Sequence, residues 1–341
     1  MAGEALGARR LDQPQDGIGT FDVTTSFRPS FGGHETFPFR YTWLKKGVDN
    51  VLKDPEVFGK EDAMVTFGVG KNMVTAIRHW GLAIGTLEDD PAIPNNRGRQ
   101  LRVTDLGASL FSDNGWDPYL EDVGTLWLIH WQVAGAPEQA TTWWWAFNQY
   151  PGTFFTRREL QVLLERYAKQ LGLSRVSAAS LKRDIDCFIR TYSPTRRART
   201  VQEDTLDCPL IELGLIREES DPQTYHLVRS DHPTLPLPIF GYALATYLER
   251  RGGQAQSVSL HELAFGDGAP GRVFGLNESG LLTRLEALGA LTGDALVYDE
   301  TAGLKQIFLH RLLRPKTLLE AYYEAFRKGT AWDGTGRATK R

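Results

Sequence analysis

Three times along this chain two helical patterns are followed by a hairpin pattern. That recurrence predicts a mainly α protein with small β wings, built as tandem winged helix-turn-helix modules joined by an aromatic helical connector. Two further observations support it. At 341 residues the chain exceeds what one ordinary core accommodates. The stretch between the first two blocks also concentrates tryptophan, with Trp127 and Trp131 followed by Trp143, Trp144 and Trp145. The expected organisation is a flexible segment at 1–25, a first winged-helix-like domain at 26–113 and the connector at 114–153. A second such domain with a basic loop follows at 154–232, then a linker helix with a third domain at 233–328 and a flexible tail at 329–341.

In the first block, "YTWLKKGVDNVL" places Tyr41, Leu44, Val48 and Val51 on one helical face. "GKNMVTAIRHWG" turns Val74 and Ile77 inward and leaves Lys71, Thr75 and Arg78 as a polar row, with Gly81 expected to end the helix. The following "LAIGTLEDDPAIPNNRGRQLRVTDLG" reads as a strand, a turn-rich hairpin and a return strand, with Asp105 capping the next helix. The second block opens on Thr156 and Glu159, a capping box, and continues into "SAASLKRDIDCFIRTY". At about 100 degrees per residue, Leu181, Ile185, Phe188 and Tyr192 share one side, opposite Lys182, Arg183, Asp186 and Arg190. Its wing is expected from "LIREES" and "YHLVRS" across Asp221-Pro222. The third block runs from "SLHELAFG" to the hairpin "ALVYDETAGLKQIFLH", preceded by the linker helix "PIFGYALATYLER". Three adjacent tryptophans on a helix point in different directions, so at least one ring of Trp143–Trp145 is expected to be partly exposed, for stacking on a base or, the plainer reading, for packing on another domain.

Composition excludes several classes. The formal net charge of −3 rules out a chain that is basic throughout, so a nucleic-acid site has to be local. One segment supplies it: between Arg175 and Arg199 seven basic residues face only Asp184 and Asp186. Cys187 and Cys208 form no C-x-x-C pair and read as buried thiols. With no apolar block of a signal peptide and no run long enough to cross a bilayer, the expectation is a cytoplasmic protein without membrane contact. "FGVGKN" lacks both the spacing and the Ser/Thr of a phosphate-binding Walker loop, which excludes an NTPase of that class.

Candidate DNA-binding residues are Arg40, Lys45, Lys46, Lys71, Asn72, Thr75, Arg78, Lys182, Arg183, Arg190 and the arginine loop Arg196, Arg197, Arg199. A solvated helix face is the plainer reading of the first-block row. Phosphodiester hydrolysis calls for clustered carboxylates around a divalent cation or a histidine that activates water. The candidates are His34, Glu35, Asp184, Glu203, Asp204 and Asp207, with Asp184, Glu203 and Asp204 as ligands of Mg²⁺ or Mn²⁺. Capping of the first helix is the plainer role for the His34-Glu35-Thr36 stretch, and internal salt bridging for the 203–207 cluster. Asp184 is expected half-buried with a partner, and Asp186 paired with Lys182 or Arg190. No PD-(D/E)-x-K or HNH pattern is present.

The segments "GGHETFPFRYTWLKKG", "FGVGKNMVTAIRHWG", "ASLKRDIDCFIRTY" and "EDTLDCPLIELGLI" together resemble the uncharacterised-domain family encoded beside bacterial DNA phosphorothioation genes, which includes the SspB-type component of the Ssp antiphage system. The resemblance spans roughly residues 30–328. It implies a DNA nickase that opens one strand for sulfur modification. The implied partners are a cysteine desulfurase, a sulfur-transferring ATP pyrophosphatase and an ATPase. The rival expectation is a non-catalytic winged-helix adaptor or regulator that binds DNA and recruits the modification enzymes.

Overall fold

The computed structural model describes residues 27–93, 96–173, 176–194, 208–221, 223–253, 255–332, 334–336 and 338–340. The segment expected to be flexible at 1–25, the arginine loop with Arg196, Arg197 and Arg199, and the acidic residues Glu203, Asp204 and Asp207 lie outside the described residues. About half of the molecule is helical, and the strands form small antiparallel sheets. The architecture is therefore mixed α/β rather than mainly α.

The first block contains α1 (Trp43–Lys53), α2 (Ala63–Phe67), α3 (Lys71–Ala83), the hairpin β1 (Leu87–Asp89) and β2 (Leu101–Val103), and α4 (Asp105–Phe111). The apolar stripe of α1 is buried at Leu44, Val48 and Val51, and α3 buries Val74 and Ile77. Gly81 does not end α3, which continues to Ala83. A Cβ there would lie 2.6 Å from Leu87 Cδ1, so the glycine lets α3 close on β1. The cap of α4 is Thr104, whose hydroxyl accepts the Gly107 N–H, while Asp105 occupies the first turn.

The connector helices α5 (Val123–Ala134) and α6 (Thr141–Asn148) run through the middle of the molecule. Trp143, Trp144 and Trp145 are all buried, against the expectation of one exposed ring. Each meets a different neighbour: Trp143 packs on Trp80 and Phe188, Trp144 on Phe27 and Tyr167, and Trp145 on Tyr150 and Tyr167. Helices on every side of α6 leave none of its directions open to water.

The second block is β3 (Phe154–Thr156), α7 (Arg157–Gln170), α8 (Ala178–Tyr192), β4 (Ile216–Glu218) and β5 (Thr224–Leu227). Its capping box at Thr156 and Glu159 is formed as the sequence predicts. After α9 (Leu237–Arg250) the third block is β6 (Ser257–Ser259), α10 (Leu260–Phe265), α11 (Pro270–Val273), α12 (Glu278–Leu291), β7 (Leu296–Thr301) and β8 (Leu304–Leu309). Both blocks have the same sheet order, β3-β5-β4 and β6-β8-β7, with the last strand in the middle. The leading strands β3 and β6 are only three residues long, too short for alternation to reveal them. α13 (Pro315–Arg327) packs on α9, and the tail expected to be flexible carries a two-stranded pairing of β9 (Thr330–Trp332) with β10 (Ala338–Lys340). Cys187 and Cys208 are buried and not joined in a disulfide, and burial pushes the Cys187 thiol well up. Among the described residues no helix is long and apolar enough to cross a membrane.

His130 on α5 ties the blocks together from the inside. It is fully buried; its Nδ1 accepts the Tyr192 hydroxyl of α8 at 2.8 Å, and its Nε2–H donates to the Val273 carbonyl of α11 at 2.7 Å. Burial drives its pKa down to about 3. A histidine titrates near 6.5 when unfolded, so between about pH 6.5 and 3 the unfolded chain binds a proton that the folded one refuses, and stability falls as pH falls. Over the whole window this group alone removes up to about 5 kcal/mol. Urea unfolding at stepped pH should show this decline, and His130→Gln should reduce the proton uptake on unfolding by about one in that window.

Candidate functional site

The turn Phe31–Thr36 and the N-terminal half of α8 enclose a cleft of about 190 Å³, lined by Gly33, Glu35, Ser180, Arg183 and Asp184 among others. Its floor is a buried polar network. Asp184 is 2% exposed; its Oδ1 accepts the Gly32 N–H at 2.8 Å and His34 Nε2 at 3.0 Å, and its Oδ2 accepts the Thr142 hydroxyl at 2.9 Å. The tautomer of His34 follows from the other ring nitrogen. A backbone N–H can only donate, so the Thr36 N–H at 3.0 Å makes Nδ1 the acceptor and puts the proton on Nε2, facing the carboxylate.

The chain bends sharply to deliver these groups. Gly32 and Gly33 have φ of 80° and 78°, and Glu35 and Thr36 have φ of 47° and 67°. Positive φ is natural for the glycines but costly for a β-branched threonine, and such strain persists only where its surroundings hold it. Here the holders are His34 Nδ1 on the Thr36 N–H and the Arg190 guanidinium donating to the Thr36 carbonyl. Beside them His79 packs edge-on to His34 with ring centroids 5.7 Å apart, and burial foremost lowers its pKa to about 3, keeping it neutral.

Several sequence expectations change at this point. The His34-Glu35-Thr36 stretch does not cap α1, whose N-cap position is Thr42. Asp184 is buried rather than half-buried because three donors from two other segments converge on it. Asp186 pairs with Arg157, at 3.1 Å, rather than with Lys182 or the Arg190 side chain as a salt bridge. Glu35 is exposed at the mouth of the cleft.

Among the cations, Lys45 is engaged by Asp49 and Asp113, each at 3.0 Å, and Lys46 donates to the Phe67 carbonyl. Burial opposes the Lys45 charge, but the two carboxylates outweigh it and raise its pKa. Arg40 lies over the Trp43 ring, and Arg78 braces the first hairpin through the Gly98 carbonyl at 3.1 Å. Lys71, Asn72 and Thr75 line the exposed side of α3. Lys182 and Arg183 are exposed on α8, while Arg190 is half-buried. Arg157 and Arg158, at the start of α7, join Lys182 around a second, smaller recess and were not singled out from sequence. Thr142, Ser180 and Gly32 were also missed; the Gly32-Gly33 pair before His34 was the available signal of a tight turn.

A protein family described as of unknown function, DUF4007, matches residues 31–323. The chain belongs to this family. Two solved structures are similar to this DUF4007 chain, the SspB crystal structure and the magnesium ion-bound SspB crystal structure. Each is 32% identical, with a TM-score of 0.77, over 86% of this chain and 88% of the other. The SspB-type resemblance carried by the four motifs therefore holds across the DUF4007 region. No curated protein matches the chain.

The network beneath the cleft is a stability element of the DUF4007 chain. Asp184→Ala leaves two buried donors, His34 and Thr142, and the part-buried Gly32 N–H without an acceptor and should cost about 3–5 kcal/mol in urea unfolding. Arg183→Ala, at an exposed position, should stay within about 0.5 kcal/mol of the parent.

Proposed function

We propose that this chain binds DNA and nicks one strand within a bacterial DNA phosphorothioate modification and antiphage system of the Ssp type. The likeness to SspB carries the reading. In it the second and third blocks act as winged-helix modules, supported by their shared order of strand, helices and hairpin. The protein works in the cytoplasm with the cysteine desulfurase, the sulfur-transferring ATP pyrophosphatase and the ATPase of that system.

The cleft beside α8 is the place for a backbone phosphate. Arg183 and the Ser180 hydroxyl line it, and no hydrogen bond of the Gly33, His34 and Glu35 N–H groups is made among the described residues. These are donors for an acceptor-only ligand. Lys182, Lys71 and the arginine loop extend the grip along the strand. Arg190 instead serves the turn, through the Thr36 carbonyl.

Mg²⁺ enters this proposal from the magnesium ion of the similar SspB structure. Among the described residues no three His, Cys, Asp or Glu side chains gather to hold a metal. Asp184 does not fit as a ligand, because its oxygens already accept three hydrogen bonds in a buried site. His34 does not fit as a base, because both of its nitrogens are engaged. Glu35 does fit: Mg²⁺ is commonly held by one or two carboxylates together with substrate phosphate. Glu203, Asp204 and Asp207, outside the described residues, also stay candidates. A bound divalent ion would supply charge neutralisation at the phosphate.

The same two observations, no three-ligand cluster among the described residues and a fully engaged His34, favour a second reading, the DNA-binding adaptor that cuts nothing. Supercoiled plasmid incubated with the protein and Mg²⁺, Mn²⁺ or EDTA separates them. Metal-dependent open circles, lost in Glu35→Gln or Asp204→Asn, are expected of the nickase; a gel shift of intact plasmid, with the partner enzymes present or absent, belongs to the adaptor. In either case Lys182→Glu with Arg183→Glu should lower the slope of log affinity against log salt by about two.

A further inference from the structure

The second-block sheet has two unlike faces. Inward, Phe155 and Tyr225 are in register and buried, with Arg157 stacked 4.9 Å over the Tyr225 ring. Outward, the next register position carries Phe154, His226 and Arg217 in line across β3, β5 and β4. The Phe154 and His226 rings are stacked, with centroids 4.4 Å apart and planes 14° from parallel. Because neighbouring strands lie about 4.8 Å apart, the Arg217 position continues the same column at stacking distance. Glu219 Oε1 lies 3.6 Å from His226 Nδ1.

The column is open at one end. β3 is an edge strand, so among the described residues the face of Phe154 turned away from His226 has no neighbouring strand, and the side chain is 54% exposed. A flat apolar ring held by a stacked partner is presented to solvent at little further entropic cost. Charges of both signs border the column: Arg217 is exposed with no ion pair among the described residues, and Glu219 stands beside His226.

From this geometry we infer that the outer face of the second-block sheet is a stacking platform for an unpaired base of single-stranded DNA, with the base laid on Phe154 and a flanking phosphate met by Arg217. Aromatic rings take any base by its π-face, whereas in a duplex the base faces are already stacked and cannot reach the ring. The platform therefore separates an opened strand from a closed duplex. The inference rests on the DNA-binding reading above but not on nicking, and it involves none of the cleft residues.

The test is fluorescence anisotropy of the full chain with a labelled single strand and with the matching duplex at one fixed salt concentration. Phe154→Ala should weaken single-strand binding roughly tenfold, within the range of losses for a stacked base, and change duplex binding less than about twofold. Phe154→Tyr should restore the affinity, since it keeps the ring. Quenching of 2-aminopurine in the single strand on binding should disappear in Phe154→Ala. Equal affinities of parent and Phe154→Ala for the single strand, with duplex binding intact, would overturn the platform and leave the DNA-binding reading standing. Failure of the parent protein to bind either DNA would overturn both. Phe154 is exposed, so urea unfolding of the variant is expected to match the parent.

Discussion

One carboxylate holds the architecture around the cleft together. Asp184 belongs to α8 in the second block, its hydroxyl donor Thr142 to the connector helix α6, and its other two donors, Gly32 and His34, to the turn before the first block. A buried polar group is tolerable only when its lone pairs are met, and the network has little slack because its donors come from two other segments of the chain. The strained turn, the outward position of Glu35 and the seat of Arg190 all depend on it.

Sequence patterning made the helices legible wherever one face alone is buried. The stripes Leu44-Val48-Val51 and Leu181-Ile185-Phe188-Tyr192 could be read because period 3.6 separates core from solvent, and Thr156 with Glu159 carried its own local signature. The three-residue strands β3 and β6 were hidden, being shorter than the alternation that marks a strand. The exposure of the Trp143–Trp145 rings was misjudged for a related reason: a helix surrounded on all sides has no amphipathic signal to tell which ring faces what.

The candidate site was legible in composition and not in connection. His34, Glu35, Asp184 and Arg183 all stood out as residue types, yet nothing local announces that a histidine and an aspartate 150 positions apart share a hydrogen bond. The same holds for Lys45 and Arg78, which look like free cations in sequence. In space they meet Asp113 and the Gly98 carbonyl, partners supplied by distant or turn segments. Charge counting finds cations; only the fold shows which of them are already spent.

The long reach of the His34–Asp184 contact also bears on how the chain is made. A ribosome adding roughly 5–20 residues per second delivers the Gly32–Thr36 turn roughly eight to thirty seconds before the carboxylate that fixes it. During that interval Trp43, Val48 and Ile77, which the folded first block buries, are already made, but the leading turn has no acceptor for His34 and the Gly32 amide. The order of synthesis thus makes the turn the last part of the first block to set. It also makes any cut or truncation between the two segments felt at the N-terminal edge of the cleft, far in sequence from where the chain was broken.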